Sequence, residues 1–166
     1  EKGNKEEAVN HFQKVIEMQP NHPHAYNNLG ATLIDLEKYQ EALRFFHQAI
    51  ELDPNYAEAY NNIGNVHHKL KKYSIAIKNY KRAIMLNPNY YEAFNNLGIA
   101  LGKNKKFKAA EKVLKKVILM NPTFAEGYNS LGNILNNLQK FDEAEKILKK
   151  VILMKPEFVD GYNSLG

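Results

Sequence analysis

The sequence contains no cysteine. That excludes disulfides, thiolate catalysis and cysteine metal sites. It fits a reducing compartment, and equally the many periplasmic proteins without cysteine; the expectation is a cytoplasmic chain. No apolar run approaches the roughly 18 residues of a membrane span, so no membrane insertion is expected. Serine is scarce: Ser74, Ser130 and Ser164 are all there are. No strand precedes a glycine-rich stretch, so no phosphate loop is formed, and no nucleophile–base constellation is visible. The segment is expected not to be an enzyme and to need no cofactor.

What is present is 166 residues with a net charge of +5, 44% hydrophobic and 25% charged. That balance suits one folded domain with a real core. Glu1 begins the chain and no signal peptide is visible.

The dominant feature is repetition. The string AYNNLG at 25–30 returns as AYNNIG (59–64), AFNNLG (93–98) and GYNSLG (127–132 and 161–166). Tyr26, Tyr60, Phe94, Tyr128 and Tyr162 stand 34 residues apart, as do Pro20, Pro54, Pro88, Pro122 and Pro156. Ala8, Ala42, Ala76, Ala110 and Ala144 form a third ladder in the same phase. Such a period marks a repeat architecture. Within 25–36 the apolar positions are Ala25, Tyr26, Leu29, Leu33 and Leu36, and within 39–52 Tyr39, Ala42, Leu43, Phe46, Ala49 and Ile50. Both spacings are helical. Each repeat is therefore a helix A, a short link such as LEKYQ (36–40), and a helix B that stops before its proline. Asn55 with Glu58, Asn89 with Glu92, and Thr123 with Glu126 have capping-box spacing at the start of helix A, and Pro23 suits a first helical turn.

This pattern resembles the tetratricopeptide repeat over the whole chain. The signature reads Tyr26, Leu29-Gly30, Leu33, Ala42, Phe46, Ala49, Pro54, and next Tyr60, Ile63-Gly64, His67, Ala76, Tyr80, Ala83, Pro88. Helix B drifts in the later copies, with Leu114 and Val117, then Leu148 and Val151. The resemblance implies an all-α, right-handed α-solenoid of tandem 34-residue helix-turn-helix repeats. Full repeats are expected at 23–56, 57–90, 91–124 and 125–158, with a helix B alone at 1–22 and the start of a helix A at 159–166, in a fragment of a longer array. Small Gly30 and Ala42 let helices A and B approach, while Tyr26 and Phe46 fill the space beside them. Stacked repeats bury one continuous core.

The opening EKGNK looks like the carboxylate clamp of chaperone-binding members of the family, but its phase differs. Gly3 is equivalent to Glu37 and Lys71, in A–B turns, so residues 1–5 are expected as a turn and helix B over 6–18.

The resemblance also implies that A helices line a concave surface. Asn27, Asn61, Asn95, Asn129 and Asn163 form one row there; Asn28, Asn62, Asn96, Ser130 and Ser164 form the next, and Asn65 and Asn133 lie one turn on. Asparagine disfavours helix interiors by up to ~0.7 kcal/mol relative to alanine, so its recurrence calls for a reason. An amide carries donor and acceptor and can pair with a peptide group whatever the side chain. The expected peptide-binding set is Asn27, Asn28, Asn61, Asn62, Asn65, Asn95, Asn96, Asn129 and Asn133, similar to the asparagine ladder of O-linked N-acetylglucosamine transferases. The competing reading is that these amides bond one another and fix repeat register. Glu58, Glu92 and Glu126 are further candidates for the groove.

Lysine pairs at 71–72, 105–106, 115–116 and 149–150 fall by phase in A–B turns or on the outer side of helix B, as solvated surface. The aromatics sit at core positions, so nucleic acid is not an expected partner. Six histidines, among them His22, His24, His67 and His68, lack metal-ligand spacing, and no metal is expected. The near-duplicates AEKVLKKVILM (110–120) and AEKILKKVILM (144–154) point to internal duplication, with Val113 and Ile147 as a candidate exposed stripe. The expected function is a protein–protein interaction scaffold that binds a protein or extended peptide. Alternatives are the substrate-recruiting arm of an enzyme such as a protein O-glycosyltransferase, and self-assembly into a homo-oligomer through end-to-end stacking of the partial repeats.

Overall fold

The computed structural model describes residues 2–154, with side chains from Asn4 onward. The helices are α1 (Lys2–Met18), α2 (Pro23–Asp35), α3 (Tyr39–Leu52), α4 (Ala57–Lys69), α5 (Tyr73–Leu86), α6 (Tyr91–Lys103), α7 (Phe107–Met120), α8 (Ala125–Asn137) and α9 (Phe141–Met154). No strand occurs among the described residues. The chain forms two compact units, Glu1–Pro88 and Asn89–Gly166. The partial repeat expected at 159–166, with Tyr162, Asn163 and Ser164, lies outside the described residues.

The even-numbered helices are the A helices and the odd-numbered ones the B helices. In the first unit α2 packs on α3, α4 on α5, and each of the B helices α1 and α3 on the following A helix. In the second unit α6 packs on α7, α8 on α9, and α7 on α8. The core of the first unit runs through Leu29, Leu33, Ala42, Phe46, Ile63 and Val66, with Val9, Phe12 and Ile16 of α1 against it. In the second, Ala125, Tyr128 and Val151 cluster with Ile118 and Ile147.

The A–B contact is set by the glycine of the repeated string. A Cβ on Gly30 would lie 2.6 Å from Phe46 Cε1, and one on Gly64 2.5 Å from Tyr80 Cε1. In the second unit Leu114 and Leu148 occupy the place of that ring, 2.5 Å from a Cβ on Gly98 or Gly132. The drift in helix B therefore keeps the packing and changes only the filler. Tyr26 is not beside that glycine. It packs with Ala49, Tyr56 and Ala59 at the junction with the next repeat, and its hydroxyl donates to the Pro20 carbonyl at 3.0 Å.

Each A–B link is a Schellman turn. Lys38 N–H donates to Leu33 O and Glu37 N–H to Ile34 O, both at 2.9 Å. The same pair of bonds recurs at Lys71-Lys72, Lys105-Lys106 and Gln139-Lys140. Glu37, Lys71, Lys105 and Gln139 have φ of 58–60°, the left-handed region that glycine usually fills.

Two local expectations are corrected. Gly3, Asn4 and Lys5 belong to α1, which begins at Lys2 and not after a turn. Lys2–Lys5 take helical geometry that runs straight into helix B, whereas the turns at Glu37 and Lys71 are closed by carbonyls of the preceding helix A. The capping boxes do not form either. α4, α6 and α8 have Tyr56, Tyr90 and Phe124 as N-caps without a side-chain cap bond. Instead Asp53 Oδ1 accepts from Asn55 N–H at 2.9 Å, and Asn121 Oδ1 from Thr123 N–H at 3.1 Å. These are Asx turns. They deliver an aromatic side chain to the cap position, where Tyr56 is buried against Ala49 and Ala59.

Val113 and Ile147 are half-buried rather than an exposed stripe. Ile147 packs on the Ala125–Tyr128–Val151 cluster. The exposed large apolar side chains of these helices are Leu119, Phe141, Leu153 and Met154.

Candidate functional site

The two amide rows lie at different depths. Asn27, Asn61 and Asn95 are at most 7% exposed, whereas Asn28 and Asn133 are exposed and Asn62, Asn65, Asn96 and Asn129 half-buried. Asn27 is covered by the next A helix of its own unit, whose Asn62 reaches it.

In the first unit the amides are wired together. Asn62 Nδ2 donates to Asn27 Oδ1 at 2.9 Å, joining α4 to α2. Asn65 Nδ2 approaches Asn62 Oδ1 at 3.4 Å, and Tyr80 OH donates to Asn65 Oδ1 at 2.9 Å. Burial holds the Tyr80 phenol well above its ordinary pKa, so it stays a donor at any physiological pH. This chain of bonds fixes the register of adjacent repeats. Asn28 stands outside it with its side chain in solvent.

In the second unit the equivalent bond is not made. Ser130 stands where Asn62 stands one unit earlier, and its side chain is shorter by an amide group. Asn95 Oδ1 is buried with no hydrogen-bond partner. The same shortening helps open a cleft of about 590 Å³ lined by Ile99, Gly102, Lys103, Lys105, Phe107, Asn129, Ser130, Asn133, Ile134 and Asn137. Asn129, Asn133 and Asn137 follow one another four residues apart on one face of α8. Asn137 Nδ2 donates to Asn133 O at 2.7 Å. Gly102 is the second small residue. His68 and Ile34 occupy its place in the first unit, and a Cβ here would collide with Ile134 Cδ1.

Of the expected set, Asn129 and Asn133 reach this cleft. Ile99, Lys103, Lys105, Phe107 and Asn137 were missed, because attention to amides at one phase passes over the end of helix A and the turn after it. The small residues at 102 and 130 were the available signal.

Among the glutamates, Glu58 accepts from Tyr56 OH at 3.1 Å, and that hydroxyl also lies 2.8 Å from His24 Nδ1. Glu58 and Glu92 are exposed and Glu126 half-buried. The lysine pairs are less idle than plain surface. Lys116 Nζ lies 4.3 Å from the centroid of the Phe94 ring, and Lys150 Nζ 5.7 Å from that of Tyr128. Arg82 covers Tyr60 in the same way at 5.7 Å. Each cation shields the signature aromatic of its own repeat. His22 Nδ1 accepts from Ala25 N–H at 3.3 Å and caps α2. Among the described residues no three His, Asp or Glu side chains gather to hold a metal ion, and no helix is long and apolar enough to cross a membrane.

Helical hairpins stacked with one face of amides define a repeat protein of the protein-interaction class. Family models described as tetratricopeptide repeat match residues 57–90 and, for a second model, 11–44, 79–112 and 113–146; one described as TPR repeat matches 32–71. The chain belongs to the tetratricopeptide repeat family. No curated protein matches it. Among solved structures it is similar to MamA, at 28% identity and a TM-score of 0.80, over 94% of this chain and 91% of that one. YrrB, described as a TPR protein with an unusual peptide-binding site, aligns at 27% identity and a TM-score of 0.76, over 93% and 79%. A thermophilic TPR protein of Thermus thermophilus, TTC0263, aligns at 20% identity and a TM-score of 0.83, over 98% and 89%; at that identity the likeness is one of fold.

Proposed function

We propose that this segment is a scaffold that binds an extended peptide, or an extended stretch of a partner protein, along its A-helix face. The observation that carries the reading is the run Asn129, Asn133 and Asn137 along a ready-made cleft. Each exposed amide offers a donor and an acceptor to a peptide backbone, and the cleft is of a size that takes one or two side chains. In the first unit Asn28 and the rim of the Asn62–Asn65 chain stand on the equivalent face of their own A helices. The likeness to YrrB, whose peptide-binding site is part of its description, supports the reading. Asn27, held by Asn62 of the next repeat, acts here as a register-setting residue.

Selection from a displayed library of random peptides tests it. Enriched peptides should bind saturably with one-to-one stoichiometry. Asn133→Ala and Asn137→Ala, shown folded by circular dichroism, should each weaken them roughly fivefold, the worth of about one hydrogen bond. A library that yields no enrichment, or variants that bind as the parent does, would overturn the reading.

A further inference from the structure

The rim of the cleft carries charge of one sign only. Lys103 and Lys105 line it, and no carboxylate does. Neither lysine makes an ion pair among the described residues, whereas Lys115, Lys140 and Lys149 are all bridged to glutamates. The end of α6 adds little opposing field, because the Leu101 and Gly102 carbonyls already accept from Lys106 and Lys105 N–H at 2.9 Å. Below the rim the walls are apolar, from Ile99, Phe107 and Ile134. Two cations above an apolar floor, beside a row of amides, form a specific chemical template.

We infer that this cleft selects an extended peptide segment in which an apolar side chain, aliphatic or aromatic, stands next to an aspartate or glutamate. The apolar side chain enters between Ile99, Phe107 and Ile134; the carboxylate meets Lys103 and Lys105; the α8 amides take the backbone. The inference rests on the proposed peptide-binding reading and adds its sequence preference. In the first unit His68 and Ile34 stand where Gly102 does, while the equivalents of Lys103 and Lys105 are Asp35 and Glu37 in one repeat and Lys69 and Lys71 in the other.

The test uses acetylated, amidated hexapeptides with a central Leu followed by Glu, Gln or Lys, titrated into the ¹⁵N-labelled chain and followed by NMR. The Glu peptide should shift amides within 99–137 and bind roughly five- to tenfold tighter than the Gln peptide, with the Lys peptide weakest. That preference should shrink as salt rises, since exposed pairs are screened. The double variant Lys103→Gln, Lys105→Gln should lose the preference for Glu over Gln while keeping the need for Leu. Ser130→Asn should narrow the cleft and weaken every peptide while leaving the fold intact or firmer. Equal binding of the Glu and Gln peptides, or a preference that survives the double variant, would overturn this inference and leave the broader reading standing. No shift with any peptide would overturn both.

Discussion

A Cβ placed on Gly127 would lie 2.8 Å from Cγ1 of Val117. These two positions meet where a B helix ends against the start of the next A helix. The equivalent pair in the first unit is Ala49 with Ala59, both fully buried. When the B-helix residue grows to valine, the A-helix residue shrinks to glycine, and the volume at the junction is conserved. Gly127→Ala should therefore cost about 1–3 kcal/mol through overpacking. In a Val117→Ala background the same change should cost much less, giving a coupling energy on the order of 1 kcal/mol in a double-mutant cycle by urea unfolding. Additive effects would show that the two positions do not sense each other.

The period and the helix pair were legible in the sequence because packing in a repeat is nearest-neighbour packing, and each helix must present the same face again. The Gly30–Phe46 contact followed from that. What was not legible was depth. Asn27 and Asn28 are adjacent letters of the same type, yet one is buried and the other exposed, and only the angle between neighbouring A helices decides which. Helix starts were misplaced for a related reason: Asn55 and Glu58 have the spacing of a capping box, but burial of Tyr56 is worth more than one cap bond and moves the start. The cleft in the second unit was written as two absences of bulk, at Gly102 and Ser130, which periodicity does not reveal.

The orphaned Asn95 Oδ1 makes a direct comparison possible. Ser130→Asn supplies a side chain of the length that joins Asn62 to Asn27, and should raise stability by about 1 kcal/mol. Asn62→Ser makes the reverse change and should cost about 1–3 kcal/mol, because Asn27 Oδ1 is then left buried without a donor. Denaturant midpoints should move in opposite directions at constant m-value. A destabilised Ser130→Asn would show that the site has no room for the amide.

His67 occupies the position of Leu33, Leu101 and Leu135. Its Nδ1 is buried without a partner, and burial holds its pKa below 6.5, helped by the nearby charges of Lys72 and His47. A lowered histidine favours protonation of the unfolded chain. Stability should thus be full above pH ~7 and fall as pH drops through roughly 6.5 toward the folded-state pKa. His67→Leu should remove that part of the slope and stabilise the protein more at pH 5.5 than at pH 8, as thermal unfolding across that range would report. An unchanged slope would place the sensitivity on other groups.

Among the described residues four non-glycine residues carry the left-handed turn. An L-residue there costs roughly 1–2 kcal/mol, part of which glycine returns through its freer unfolded chain. Glu37→Gly and Lys71→Gly should each raise stability by up to about 1 kcal/mol, and the pair should be nearly additive because the turns do not touch. Melting temperature measures this directly. A drop on either change would mean that the side chain contributes contacts larger than its backbone strain.

Glu111 ties two B helices of the second unit together. Its Oε1 lies 2.7 Å from Lys115 Nζ on α7 and 2.8 Å from Lys140 Nζ at the turn before α9, and its side chain is only 13% exposed. Hydrogen bonds from Lys115 first and Lys140 next hold its carboxyl below the usual carboxylate pKa. A depressed carboxylate contributes stability above the unfolded pKa of roughly 4.3, and that contribution is lost as pH falls through the folded value. Glu111→Gln should therefore cost about 1 kcal/mol at pH 7, a figure kept modest because both lysines are partly solvated. The difference from the parent should vanish as pH falls through the lowered folded-state pKa, where the parent's carboxyl takes up its proton. This window lies well below that of His67, so a pH series on the two single variants separates them. A Glu111→Gln variant as stable as the parent at pH 7 would show that desolvation cancels the attraction of the two lysines.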